Sequence, residues 1–257
     1  MTSGNAPLLI RGRRVQNTGP GLATTTNGTL ISGRGNCQAL DLVFTTPVIA
    51  DTRATLTVGG QNVLQGIDLC VLAFNALQGQ YQSTLGNYGQ NQTTQVAVIN
   101  GDLLQTAQGY LLEYYENRYQ QPGKIAALLA APELATKRIS IGGTVPNGNS
   151  RNFDFVIPKN RGTVWAVQLV VARDVTTNPV ALVGGEITVS TNGVEIMQTV
   201  PALAAASDSS RKNFFPITIE AGSTISMFVD ALATTIPITA ALVLYFAPDK
   251  YCSKWQK

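Results

Sequence analysis

The chain has 257 residues, of which 44% are hydrophobic and only 13% charged, with a formal net charge of +3. That length suits one large or two small domains, the composition excludes a disordered chain, and the charge is too small to point to nucleic acid by itself. Histidine is absent, which removes Ser-His-Asp and Cys-His catalysis, His-based zinc sites and the commonest general base near neutral pH.

Leu8-Leu9-Ile10 reads as a short strand, and Asn17 to Gly28, rich in Gly, Thr and Asn, as loop. Strands are expected over 37–45 and 54–58, with Gly59-Gly60 as the following turn. Val63, Leu64, Ile67, Cys70, Val71 and Phe74 fall at helical spacing and predict a helix over 63–78. Gly79 to Gln92 reads as a polar loop, followed by strands at 93–99 and 109–119. Pro122-Gly123 breaks the pattern. Lys124 to Arg138 is Ala/Leu-rich and predicts a helical connector, restarted at Pro132. Gly142 to Asn152 reads as loop again.

Beyond it, Phe153, Phe155 and Ile157 alternate with Asp154 and Val156, the period of a half-buried strand. Pro158 to Gly162 turns, and strands follow at Val164 to Ala172 and 186–190. Met197 to Ala206 is apolar and Ala-rich, a second helix candidate. Strands at 214–220, 223–230 and 237–247 complete the chain. The longest apolar run, Ile236 to Pro248, is too short to span a bilayer and reads as a buried strand. Met1 to Pro7 is polar and lacks a signal-peptide pattern.

Residue classes repeat at a fixed distance of 131 positions. Leu56-Thr57-Val58 returns as Ile187-Thr188-Val189. Thr93 to Val98 returns as Thr224 to Val229, and Leu111 to Tyr115 as Leu242 to Phe246, with Tyr114 over Tyr245. A whole duplicated β domain is the simplest cause, because solenoid repeats are far shorter. The strands do not alternate regularly with helices, which argues against a parallel α/β sheet and for a sandwich or jelly roll.

Little in the chain suggests chemistry. No phosphate loop or dinucleotide fingerprint is present, and no catalytic, cofactor or metal residue is assigned. Glu113 and Glu116 could pair for a hydrolase, but residues three apart on a strand face opposite ways. Calcium held by loop oxygens stays open, without EF-hand spacing to support it. Cys37, Cys70 and Cys252 are an odd set without metal-like spacing, so they make no disulfide framework and suit a reducing cytoplasm. Basic residues group at the two ends. Arg11, Arg13 and Arg14 follow Leu8-Leu9-Ile10, while Lys250, Lys254 and Lys257 flank Tyr251 and Trp255. Aromatic and basic residues together suit the headgroup level of an anionic membrane. Solvated tails touching neighbouring subunits are the other reading of the same residues.

The strand succession of the second half is Phe153-Asp-Phe-Val-Ile-Pro158, Trp165 to Val170, Glu186 to Ser190, Phe215 to Glu220 and Ile238 to Phe246. Together with the tandem arrangement, it resembles the double jelly-roll major capsid proteins of tailless icosahedral bacteriophages with an internal membrane, the corticovirus-like and Finnlakevirus-like members being nearest in length. The resemblance covers about residues 35–248 and rests on pattern, not on a diagnostic motif. It implies an all-β fold of two tandem eight-stranded jelly rolls, with a short helix in each and a helical connector. The first jelly roll and its arm would span 1–122, the connector 123–142, and the second jelly roll with its basic tail 143–257. It also implies a homotrimer, neighbouring capsid trimers, penton or vertex proteins and the internal viral membrane as partners, no specific nucleic acid, and no enzymatic activity. Such a protein is assembled in the host cytoplasm and resides in the virion. The alternative is a carbohydrate- or receptor-binding β protein such as a viral spike.

Overall fold

A computed structural model describes residues 8–32, 35–44, 51–68, 83–115, 138–172, 184–205 and 214–247. The fold is all-β. The first half supplies β1 (Ile10–Thr18), β2 (Ala23–Thr29), β3 (Cys37–Phe44), β4 (Arg53–Val58), β5 (Gln61–Asp68), β6 (Ser83–Tyr88), β7 (Thr93–Ile99) and β8 (Ala107–Tyr114). The second supplies β9 (Arg138–Val145), β10 (Ser150–Val156), β11 (Thr163–Val171), β12 (Glu186–Thr191), β13 (Val194–Pro201), the single-turn helix α1 (Ala202–Ala205), β14 (Phe214–Ile219), β15 (Thr224–Asp230) and β16 (Ile238–Ala247).

Strand order is the same in both halves. The first half pairs β1-β8-β3-β6 in one layer and β2-β7-β4-β5 in the other. The second pairs β9-β16-β11-β14 and β10-β15-β12-β13, so adding eight to each strand number converts one half into the other. The halves fuse where β13 runs parallel to β1, with Ile10 opposite Met197 and Arg11 opposite Gln198. This junction makes one eight-stranded sheet, flanked by two four-stranded ones.

Register tests the repeat residue by residue. Tyr114 lies opposite Ala39 and Tyr245 opposite Ala166, so these two tyrosines hold the same place. Leu56 lies opposite Val96, whereas Met227, the counterpart of Val96, lies opposite Val189 and not Ile187. Leu56 therefore matches Val189, two residues beyond the expected partner. A slip of two leaves every side chain on its own face, so the hydrophobic pattern cannot reveal it.

Two cores follow from the alternation. Leu40, Leu42, Phe44 and Leu111 point into the first half with Val15, Leu56, Val96 and Val98. Ala39, Val43, Tyr110, Leu112 and Tyr114, on the opposite faces of β3 and β8, join Leu9 and Ile10 in the core of the second half. The strands β3 and β8 are thus buried on both sides, which is why they read as near-continuous apolar runs.

Several expected elements are corrected. Residues 63–68 belong to β5, not to a helix, and register shifts against β4 break the period of two and mimic helical spacing. The remainder of that helix, 69–78, lies outside the described residues. Met197 to Pro201 closes β13, leaving α1 only four residues. Most of the segment read as loop over 17–28 is β2 and the end of β1, and part of 79–92 is β6. The connector placed at 123–142 lies outside the described residues up to 137, but 138–142 are already β9. The second half therefore begins five residues before the boundary drawn at 143. Gly142 misled there: it has φ of 146° and lies so close to the Ala240 carbonyl that no side chain fits, so a strand glycine was read as a loop glycine.

Strand directions fix where the connections emerge. Because β1 and β13 are parallel, the two halves point the same way. At one end β3, β5, β11 and β13 finish and β4, β6, β12 and β14 begin, together with the turns 19–22, 100–106, 146–149 and 231–237. At the other are 30–36, 157–162, 89–92, 220–223 and the two-residue turns Gly59-Gly60 and Asn192-Gly193. The strand β1 begins and β16 ends at this short-turn end.

The seam leaves no room at Gly12, where a Cβ would collide with the backbone carbonyl of Thr199, itself held at φ of 50°. Gly12→Ala is expected to lower stability by about 1–3 kcal/mol, as overpacking against backbone does. Gly89→Ala, whose Cβ would meet nothing nearer than Gln92 at 3.7 Å, should leave the urea midpoint unchanged. Equal midpoints for both variants would show that the seam does not constrain Gly12.

Candidate functional site

The sequence flagged Arg11, Arg13 and Arg14 as a terminal basic cluster, and the structure places all three inside β1. Alternation along the strand sends Arg11 and Arg13 into the first half and Arg14 towards the second. Glu113 of β8 is fully buried and receives both. The Arg11 Nε donates to Glu113 Oε2 at 2.8 Å, and the Arg13 Nε to Oε1 at 2.6 Å. The Tyr115 hydroxyl donates to Oε2 at 2.7 Å. A carboxylate held by three donors is satisfied despite its burial, and neither oxygen is presented to a substrate.

The guanidinium groups reach further, towards the opposite layer. Arg11 Nη2 donates to the Thr29 carbonyl at 2.7 Å, and Arg13 Nη2 donates to the Thr94 hydroxyl. Two arginines against one carboxylate leave one surplus positive charge at this mouth of the sandwich. Arg14 instead pairs with Glu186 of β12, which also accepts from the Tyr110 hydroxyl at 3.0 Å. That pair ties the halves together across the seam, and Glu186 reinforces the Arg14 charge.

Arg11 and Arg13, expected at a membrane, pair with Glu113 between the layers of the first half and keep 16% and 21% of their side chains exposed. Arg14 is exposed but paired. Lys250, Tyr251, Lys254, Trp255 and Lys257 lie outside the described residues, as does Glu116. The proposed Glu113 and Glu116 pairing therefore meets a Glu113 already committed to two arginines and a tyrosine. Among the described residues no group of three or more Cys, Asp or Glu side chains could hold a metal, and no helix is long and apolar enough to cross a membrane.

The long-loop end carries a feature that the sequence reading missed. Leu103 and Leu104 are 78% and 87% exposed, beside Leu22 and Ile99. Their turn is built, not slack. Buried Asn100 donates to the carbonyls of Thr18, Gly19 and Gln105, and accepts from Thr52 and from the Asp102 amide. Asp102 in turn caps the amides of Leu104 and Gln105. Asn100-Gly101-Asp102 before two leucines was the available signal: short polar side chains that hold a turn, followed by apolar ones.

No protein-family model matches the sequence, and no curated protein is similar to it. The CUB1-EGF-CUB2 domain of human MASP-1/3 is a structural neighbour with 7% identity and a TM-score of 0.26, over 93% of this chain and 100% of that one. The same region of rat MASP-1 gives 9% identity and 0.27, over 93% of this chain and 98% of that one. A cycloalternan-forming enzyme from Listeria monocytogenes, in complex with a pentasaccharide substrate, gives 15% and 0.25, over 81% of this chain and 19% of that one. Likenesses this slight carry no argument.

Two predictions follow from the buried groups. Glu113→Gln removes the charge that both arginines share, and should cost about 3–5 kcal/mol, as stranding buried partners does; an unchanged urea midpoint would refute the pairing. The second concerns alkali. Burial, with Glu113 nearby, pushes the Cys37 thiol from 9.0 up to about 12. Burial first and then Glu113 push the Tyr115 phenol above its ordinary 10.0, and burial with Glu186 does the same for Tyr110. The folded state holds these protons more tightly than the unfolded chain. Their contribution is complete below pH 9.0 and is lost as pH rises from there towards 12. The urea midpoint should fall as pH rises from 9.0 towards about 12, and Cys37→Ala with Tyr115→Phe should flatten that fall.

Proposed function

We propose that the protein is a structural shell protein, a major capsid protein whose two halves are jelly rolls standing side by side. The observation that carries this reading is the repeated strand order. Each half pairs its first, eighth, third and sixth strands in one layer and its second, seventh, fourth and fifth in the other. That order is what two interlocked Greek keys of eight strands produce. The parallel junction adds the orientation, since both halves send their long connections to the same end. A block of two similar barrels, repeated three times around an axis, gives a near-sixfold outline that tiles a surface.

The surface chemistry suits the same role. With 13% of residues charged, and Arg11 and Arg13 used internally, little charge is left for the faces that would meet a neighbour. Such faces lose little on desolvation when they meet a neighbour. In this reading the protein performs no catalysis. It works by self-association into homotrimers and then into a closed layer over an internal membrane, with vertex proteins filling the fivefold positions.

Mass measurement of the purified protein at micromolar concentration, with electron microscopy of the same sample, tests the reading. A trimer with a pseudo-hexagonal outline is the expected result. A monomer that stays monomeric as concentration rises would overturn it.

A further inference from the structure

We infer that the outer face of β2, β7 and β4 carries a binding site for an acidic saccharide. An open groove of about 430 Å³ lies there, near the short-turn end. Its outward lining is Asn27, Thr29, Thr57, Thr93 and Gln95. Asn27, Gln95 and Thr57 stand in one row across three strands, and Thr29 faces Thr93 in the next. Gln95 Nε2 donates to Asn27 Oδ1 at 3.1 Å, and the Thr57 hydroxyl to Asn62 Oδ1 at 2.8 Å, so the row is partly pre-ordered.

The lining selects the ligand. Hydroxyls and amides both donate and accept, as sugar hydroxyls do. Among the described residues no aromatic or large aliphatic side chain lines the groove; its apolar surface is threonine methyl and glycine methylene, small patches that suit the C–H groups of a sugar more than a large greasy ligand. Among the described residues no carboxylate lines it either, so none of them there would repel an anion.

The surplus charge lies directly behind. Arg11 holds the Thr29 carbonyl and Arg13 the Thr94 hydroxyl, and both Thr29 and Thr94 line the groove. At Gly28, also in the lining, the Arg13 guanidinium occupies the space a Cβ would fill. The missing side chain therefore lets a cation approach the groove floor through β2. Their side chains remain 16% and 21% exposed, and they share the single charge of Glu113. One net positive charge suits one carboxylate on a polyhydroxyl ligand, and is far too little for a polyanion, which needs several cations. This inference stands independently of the shell reading.

The test is titration of the isotope-labelled full chain with 3′-sialyllactose and with lactose, followed by amide NMR. The expected result is saturable shifts at Asn27, Thr93 and Gln95, weakened by salt, with lactose binding about tenfold more weakly for want of the attraction to the arginine charge behind the sheet. Asn27→Ala with Thr93→Ala lies on the outer face and should abolish the shifts while leaving the urea midpoint unchanged. Arg13→Gln should bring the sialyllactose affinity down to that of lactose. No shift at about 10 mM ligand, the weak-fragment range, would overturn the inference. So would equal affinity for the two sugars, or shifts confined to another face.

Discussion

The fold depends on β1, a strand that must serve two interiors at once. Its odd positions, Arg11, Arg13 and Val15, face the first half, and its even positions, Ile10, Gly12 and Arg14, face the second. On one face the strand must end in charge, because the sandwich mouth holds Glu113. On the other it must first fill a core with Ile10, then vanish at Gly12 where Thr199 crosses, then reach Glu186 with Arg14. The run Ile10-Arg-Gly-Arg-Arg14 is the solution to both demands, written alternately. Few replacements satisfy it, because each residue has one neighbour it must reach or avoid.

The junction that β1 makes is short, two residue pairs in register with β13, yet it decides the shape of the molecule. Had β13 met β1 antiparallel, the halves would have pointed in opposite directions and each end would have shown a mixture of long and short connections. The parallel pairing sorts them instead. Within each half, the strand ends separated by eight or more residues of sequence face one way, and the two-residue turns lie at the other end. A two-residue ladder alone is weak. What holds it is the shared core, in which Ile10, Tyr110, Leu112 and Tyr114 pack with the second half, and the Arg14, Glu186 and Tyr110 cluster at its rim.

Legibility in the sequence tracked the contrast between the two faces of each strand. The strands β15 and β16 were placed to within a residue because Ile225, Met227 and Val229, or Ala240, Leu242, Leu244 and Phe246, alternate against a different environment. The strand β2 was invisible because Ala-Thr-Thr-Thr-Asn-Gly-Thr has no apolar face at all, and it is set by pairing with β7. The slip of two residues between β4 and β12 was hidden for the opposite reason, since parity survives it. The arginines stand out in the sequence as a group, but their carboxylate partners do not. Pairing Arg11 and Arg13 with Glu113 requires knowing that β1 lies beside β8, contacts 102 and 100 residues apart in sequence. Leu103 and Leu104 belong to no charge cluster and no strand period, and only the turn residues Asn100-Gly101-Asp102 mark them.

The strand β2 also bears on why so little charge is present. It lies at the edge of its sheet, paired with β7 on one side only. Free edges of soluble monomers are usually guarded by lysine, proline or an inward charge. The edge strand β10 conforms in part, with Arg151 and Asp154 in its sequence, but β2 carries no charged residue and no proline. Its partial protection is borrowed from β1, where Arg11 covers the Thr29 carbonyl and the Gln16 amide meets the Thr26 hydroxyl. In a protein that stays alone, such an edge invites unwanted pairing and selection would favour a lysine there. In one that assembles, the same edge is covered by a neighbour and a lysine would have to be desolvated. On the proposed shell reading, the uncharged edge, the low total charge and the inward use of Arg11 and Arg13 are one property seen three times: charge is placed where it holds the monomer together and not on the edge that a neighbour would cover.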